Sequence, residues 1–140
     1  MSLPDRKLIN FDAARLDVVW PEIAPMLAAA LECGDGELDL SQLRMLLANR
    51  QAILILVMED SRIVGCGAAE FVQYPNYRVA NFIATGGKQM MISRPEVDQV
   101  RAFMKEMGAS KMQGFCPDSV ARLWERRGAR KVYNLMRWDL

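Results

Sequence analysis

A chain of 140 residues, 51% hydrophobic and 25% charged, has the size and make-up of one soluble globular domain, with room for a real core and not for two. Its 18 basic and 17 acidic side chains leave a formal charge of +1, which provides no field favouring nucleic acid or an anionic membrane. With no histidine anywhere, Ser-His-Asp and Cys-His hydrolase chemistry is excluded, and a zinc site would have to use cysteines and carboxylates alone.

From the N-terminus, residues 7–11 read as a short strand and Asp12 opens a helical turn. Proline is tolerated in a first helical turn, so Pro21 and Pro25 place a first helix over residues 21–31, ended by Cys33-Gly34-Asp35-Gly36. Asp39-x-x-Gln42 is a capping box, and it predicts a second helix with Leu40, Leu43, Leu46 and Leu47 turned inward. Residues 52–58 are apolar without alternation, the pattern of a strand covered on both faces.

Glu59-Asp60-Ser61 makes a hairpin turn into a strand over 62–72, and Tyr74-Pro75-Asn76 turns the chain into another over 78–85. The aromatic turn Tyr74, Pro75 and Tyr77 either lines an acceptor pocket or pins the hairpin. Ser93-x-x-Glu96 is a second capping box, with Pro95 in the first turn. Val97, Val100, Phe103, Met104 and Met107 then form a helical stripe closed by Gly108. A strand over 111–116 follows. A last helix starts at Asp118 or Ser119, whose side chains can cap it, and it puts Val120, Leu123, Trp124 and Arg127 on one face before stopping at Gly128. Residues 131–138 read as a closing strand.

Cys33, Cys66 and Cys116 are odd in number and lack metal-type spacing, and Cys66 sits in an apolar strand as a small core residue. With no signal peptide and no apolar span of membrane length, the expected compartment is reducing and cytoplasmic. Arg122, Arg126, Arg127, Arg130 and Lys131 cluster near the C-terminus, as a solvated helix face or an anion site. Ten methionines point to adaptable core filling or a contact surface, and Met90-Met91-Ile92 is a candidate contact for a protein partner.

The ending Asp118-x-x-Ala121-x-x-Trp124-x-x-x-Gly128-Ala129, followed by a strand, resembles the C-terminal half of the GNAT N-acetyltransferase fold. There the pattern Asn-x-x-Ala-x-x-x-Tyr-x-x-x-Gly-Phe precedes the final strand; Ala121 and Gly128 match outright. The order β-α-α-β-β-β-α-β-α-β extends the resemblance over nearly the whole chain. It implies an α+β fold in one domain over residues 1–140: a twisted, mostly antiparallel sheet of six to seven strands with helices on both faces. The compact ending and the Gly-Gly after the fourth strand also look like small GNAT-like proteins encoded by tailed bacteriophages.

The resemblance further implies acetyl-CoA as acyl donor. In the family a glycine-bearing loop after the fourth strand leads into a helix, whose N–H groups point at the pyrophosphate. Here Ile83-Ala84-Thr85-Gly86-Gly87-Lys88 occupies that place, with Lys88 supplying charge, but several residues separate the glycines from the capped start at Ser93. Ser93 and Arg94 are the other candidates for the anion. Asp118 stands where relatives often place an asparagine near the pantetheine, and its other reading is a helix cap. Many relatives protonate the departing thiolate with a tyrosine in the last helix. Trp124 stands there, its indole far too weak an acid and as readily a core aromatic, and Tyr133 is the nearest phenol in sequence.

A protonated amine cannot attack a thioester, so acetyl transfer gains from a base. Glu70, inside an apolar strand, is the candidate; its other reading is a solvent-facing position. Two functions therefore stand side by side. One is an acyl-CoA-dependent N-acyltransferase acting on a small amine or a protein amino group. The other is a non-catalytic GNAT-fold module for interaction or structure.

Overall fold

A computed structural model describes residues 6–87 and 93–140. Strand β1 (Arg6–Phe11) runs into a 3-10 turn (Ala13–Arg15), where the Asp12 carboxylate accepts from the Ala14 N–H at 3.0 Å. Helix α1 (Leu16–Leu31) begins ahead of both prolines rather than at Pro21. Leu16, Val19, Ile23 and Leu27 recur at helical spacing and are buried, whereas Pro21 and Pro25 lie one turn apart on the exposed side. The carbonyls that lose an intrahelical partner to the two rings therefore face water, and burial of the apolar stripe carries the helix through.

Helix α2 (Leu40–Ala48) opens on the expected box: the Asp39 carboxylate accepts from the Gln42 N–H at 2.8 Å, and Gln42 Oε1 accepts from the Asp39 N–H at 2.9 Å. Strands β2 (Ile53–Glu59), β3 (Arg62–Gln73) and β4 (Arg78–Gly87) are consecutive antiparallel neighbours, as their short connections require. Asp60 and Ser61 both take positive φ, 49° and 71°, the mirror-image turn whose twist matches paired strands.

Helix α3 (Arg94–Glu106) has Ser93 as its cap, and it crosses over to β5 (Lys111–Gly114), which pairs parallel to β4. Helix α4 (Asp118–Arg126) follows, capped at Pro117 without any side-chain hydrogen bond. Asp118 and Ser119 thus lie inside the helix and do not cap it.

The described sheet has five strands in the order β1-β2-β3-β4-β5, not the six to seven expected; it is mostly antiparallel, as expected, with β4–β5 its one parallel pair. A parallel pair is what a strand–helix–strand crossover such as β4-α3-β5 produces. The remaining strand is the closing one: residues 131–138 pair with nothing among the described residues. Their apolar pattern suits a strand, but a strand exists only where a neighbouring edge takes its backbone groups.

Helices cover both faces of the sheet. Leu27, Leu43, Leu47, Leu54, Leu56 and Cys66 pack under α1 and α2, while Ile55, Val57, Phe82, Val100 and Met104 pack under α3, joined by Trp124. Burial pushes the Cys66 thiol up to about 12. The folded value lies above the unfolded one, so this contribution to stability is present below the ordinary thiol pKa and is lost as pH rises toward about 12. At pH 8, iodoacetamide should alkylate exposed Cys33 readily and Cys66 only after denaturation, with peptide mass spectrometry as the readout.

Candidate active site

The pairing of β4 with β5 ends early. Val79 to Phe82 face Lys111 to Gly114, and β5 stops there, while β4 continues through Gly87. Residues 83–87 of β4 therefore have no partner on that side among the described residues. The chain beyond β5 turns off through Phe115, 74% exposed, into α4. Beyond Phe82, β4 thus keeps an open edge on the side where β5 has ended. Trp124 of α4 packs against the end of β5: its ring lies 3.4 Å from where a β-carbon on Gly114 would stand.

Across the same strands runs a row of polar side chains. Asn81 is in register with Glu70 on β3 and with Gln113 on β5. Gln113 Nε2 donates to Asn81 Oδ1 at 3.3 Å, and Asn81 Nδ2 donates to Glu70 Oε1 at 3.1 Å. Because its carbonyl accepts from Gln113, the Asn81 amide has its N–H₂ directed at the carboxylate. Glu70 alternates with Ala69 and Phe71, which pack under α3, so its half-buried carboxylate emerges on the α1–α2 face. One residue beyond this row, β4 carries a bulge: Ala68 faces Ala84 and Ala69 faces Phe82, leaving Ile83 as the extra residue. A bulge leaves a backbone group outside the ladder.

The other sequence candidates divide by position. Ile83 and Thr85 are half-buried on the free stretch of β4, Ile83 against the core under α1. Gly86 and Gly87 lie within β4, not in a loop. A β-carbon on Gly86 would sit 2.5 Å from the Met26 carbonyl oxygen of α1, and one on Gly87, at φ 86°, would sit 2.5 Å from the Val64 carbonyl oxygen. Both glycines thus let backbone approach backbone. Lys88 and the Met90-Met91-Ile92 run lie outside the described residues.

At α3 the capping box occupies the Ser93 and Glu96 N–H groups, and Pro95 has none, so the amide of Arg94 is the first-turn donor left. Arg94 Nη2 donates to the carbonyl of Arg126 at 3.5 Å, which brings the end of α4 beside the start of α3. Buried Glu96 ties this corner to β1 through Arg6 at 2.8 Å.

Asp118 is the first residue of α4. Burial first, and then the Asp118 carboxylate, push the nearby Cys116 thiol up, which lowers the fraction present as thiolate. Tyr133 lies on the C-terminal segment, 75% exposed, not on the strand expected for it.

Asn81 and Gln113 escaped the sequence reading. The available signal was a lone amide in the otherwise apolar run from Val79 to Ala84; its link to Gln113 depends on register. Surface hollows of about 300 and 380 Å³ lie along β1, at the opposite edge of the sheet, and are lined mainly by apolar side chains. Among the described residues no group of acidic, cysteine or histidine side chains is arranged to hold a metal, and no helix is long and apolar enough to cross a membrane.

No family model matches the chain, and no curated protein matches it. Solved structures do. A ribosomal-protein-alanine N-acetyltransferase from Brucella melitensis biovar Abortus 2308 is 18% identical over 99% of each chain, with a TM-score of 0.67. The aminoglycoside acetyltransferase meta-AAC0020 from an uncultured soil metagenomic sample, in complex with sisomicin, is 13% identical over 96% of each chain, at 0.71. The aminoglycoside N-acetyltransferase AAC(6')-Iy in complex with CoA is 10% identical over 99% of this chain and 97% of its own, at 0.70. At such identities what is shared is the architecture from β1 to the C-terminal segment, and that architecture is the GNAT acetyltransferase fold.

Proposed function

We propose that this protein transfers an acetyl group from acetyl-CoA to an amine. The observation that carries the reading is the parallel β4–β5 pair that stops at Phe82 and Gly114, leaving an open β4 edge beside the Glu70 row. An open edge offers N–H and C=O groups in the spacing that the amides of a pantetheine arm can pair with. On this reading Ile83 and Thr85 flank that arm, with Asp118 and Trp124 on the opposite wall. Arg94, with its backbone amide and the cap at Ser93, meets the pyrophosphate, and Gly86, Gly87 and Lys88 lie on the way to it. A thioester carbonyl near the bulge at Ile83 would have an unpaired backbone group to polarise it.

Glu70 takes the proton from the ammonium group of the acceptor. The freed nitrogen attacks the thioester carbon and the C–N bond forms; the adduct's nitrogen gives up its surplus proton to water, and the C–S bond breaks to release CoA thiolate. A thiol has an ordinary pKa of ~8.5, so the departing sulfur needs little help and takes its proton from water. Neither the Trp124 indole nor the exposed Tyr133 is required as an acid. The solved neighbours that hold CoA or an aminoglycoside support a CoA donor and a small amine acceptor.

A second reading rests on its own observation. Gly86 and Gly87 are committed to close packing, and the capping box with Pro95 removes most donors from the α3 N-terminus. That favours a protein that keeps the fold without the cofactor. Thermal unfolding with added acetyl-CoA separates the two. A ligand at a hundred times its dissociation constant stabilises the folded state by about 2.7 kcal/mol, so the melting temperature should climb with concentration. An unchanged transition at millimolar acetyl-CoA would leave the non-catalytic reading standing.

A further inference from the structure

At the β3–β4 hairpin the chain exposes two aromatic rings that acetyl transfer itself does not use. Tyr74 and Tyr77 are 41% and 39% exposed, and their rings meet edge to face with centroids 5.7 Å apart. The Tyr74 N–H donates to the Tyr77 carbonyl at 2.9 Å, so backbone alone closes the turn. Lys111, the first residue of β5, holds its ammonium 5.0 Å from the centre of the Tyr77 ring. It makes no ion pair with any described residue.

These groups share a face with the Glu70 row. Met112 packs under α3, so Lys111 and Gln113 on either side of it point to the opposite face, where Glu70 emerges. Val79 is in register with Lys111 and Asn81 with Gln113, so Lys111 stands two residues from the row, ~6.6 Å along the strands. Strand β4 lies between β3 and β5, which adds two inter-strand spacings of ~4.8 Å. One face thus sets a carboxylate and an unpaired ammonium on backbones roughly 12 Å apart, from which both side chains can reach toward a molecule lying between them.

We propose that this face is the acceptor subsite and that Lys111 selects an amine bearing a carboxylate at its far end, a small amino acid whose two charged groups are separated by a chain of several carbons. On the acetyltransferase reading, which this extends, Glu70 receives the ammonium end and Lys111 meets the carboxylate in a charge-assisted hydrogen bond. The tyrosine rings give the stem next to that carboxylate an apolar surface, and the Tyr77 face limits the swing of the Lys111 side chain. A distal ammonium would instead meet a like charge, so the same residue that favours the acid disfavours a polycation.

Acetylation of three amines of similar length tests this: 6-aminohexanoate, hexylamine and 1,6-diaminohexane, whose distal ends are anionic, neutral and cationic. Counted per amino group, kcat/KM should fall in that order by ~2–5-fold at each step, the range of an exposed ion pair, and the spread should shrink at high salt. The differences should appear in KM more than in kcat, since the distal end meets Lys111 both before and during transfer. Lys111→Met keeps the side chain over Tyr77 without its charge and should bring the three amines together, and Lys111→Glu should reverse their order. A second readout needs no turnover. The chain has three tyrosines, and the ring resonances of Tyr74 and Tyr77 should shift with 6-aminohexanoate in the wild type and far less in Lys111→Met. Equal use of the three amines, or an order that Lys111→Met leaves unchanged, overturns the subsite while the acetyltransferase reading stands. Ring shifts without acetylation of any amine support the carboxylate subsite and overturn the acetyltransferase reading. Neither shifts nor acetylation overturns both.

Discussion

Replacing Glu70 with glutamine is expected to lower acetyl transfer at neutral pH by ~10²–10⁴-fold, the usual range for general-base assistance, while leaving the fold intact. The substitution keeps the shape of the side chain and its acceptor oxygen toward Asn81, so the 3.1 Å hydrogen bond has a replacement and the neighbouring strands keep their register. What is lost is the negative oxygen that receives the ammonium proton. The deficit should shrink as pH rises, because a growing fraction of the acceptor is then already deprotonated. Asn81→Ala is the informative companion. It leaves the carboxylate in place without its directing amide, so turnover should fall less than in Glu70→Gln. Steady-state kinetics across pH 6 to 10 on a general amine acceptor decide the matter. An active enzyme with the same rate and pH profile after Glu70→Gln would make the carboxylate a bystander.

Gly86→Val is expected to be the most damaging single substitution for the fold. The first added carbon would meet the Met26 carbonyl oxygen at 2.5 Å and its carbonyl carbon at 2.7 Å, both backbone atoms of α1. A flexible side chain can swing aside from such a contact, but a helix backbone moves only by lifting off the sheet. Overpacking a core costs typically 1–3 kcal/mol and occasionally more, and the two extra methyl groups place this case at or above the upper end, at ~3 kcal/mol. With ~2–4 °C of melting temperature per kcal/mol in a domain near this size, the transition should fall by about 10 °C. Gly114→Ala is the comparison: its nearest neighbours are side-chain atoms of Phe82 and Trp124 at 3.4 Å, which can yield, so the expected loss is much smaller. Equal melting temperatures for the two variants would show that α1 shifts at little cost.

Much of the architecture was legible in the chain because it depends on near neighbours. The boxes Asp39-x-x-Gln42 and Ser93-x-x-Glu96 form as read, since a cap needs residues only three apart. The three central strands stand where unbroken or alternating apolar runs lie between turn residues, and their connections are too short for anything but neighbouring antiparallel pairing. Where local rules failed, a distant surface outweighed them. Pro21 and Pro25 mark a helix start only until Leu16 and Val19 find the sheet to bury against, which extends α1 backwards through both rings.

The site was legible only in fragments. Glu70 could be singled out as a carboxylate in an apolar strand, and Ser93 and Arg94 as a helix start. The amide that orients Glu70 lies eleven residues away on β4, and the one behind it a further 32 away on β5, so that row is a product of register. The Gly86-Gly87 pair reads locally as a flexible turn. Its use as a point of close approach exists only once α1 lies across β4 and Val64 comes alongside.

By itself the sequence determined what hydrogen-bond spacing and apolar periodicity can encode: element types, most boundaries, the antiparallel core, and the absence of histidine-based chemistry. Tertiary structure decided what depends on surfaces meeting. It set the parallel placement of β5 and the early end of its pairing that leaves the β4 edge open. It also left residues 131–138 without the edge that a strand requires, since a backbone ladder forms only between two partners and a local pattern can name but one of them.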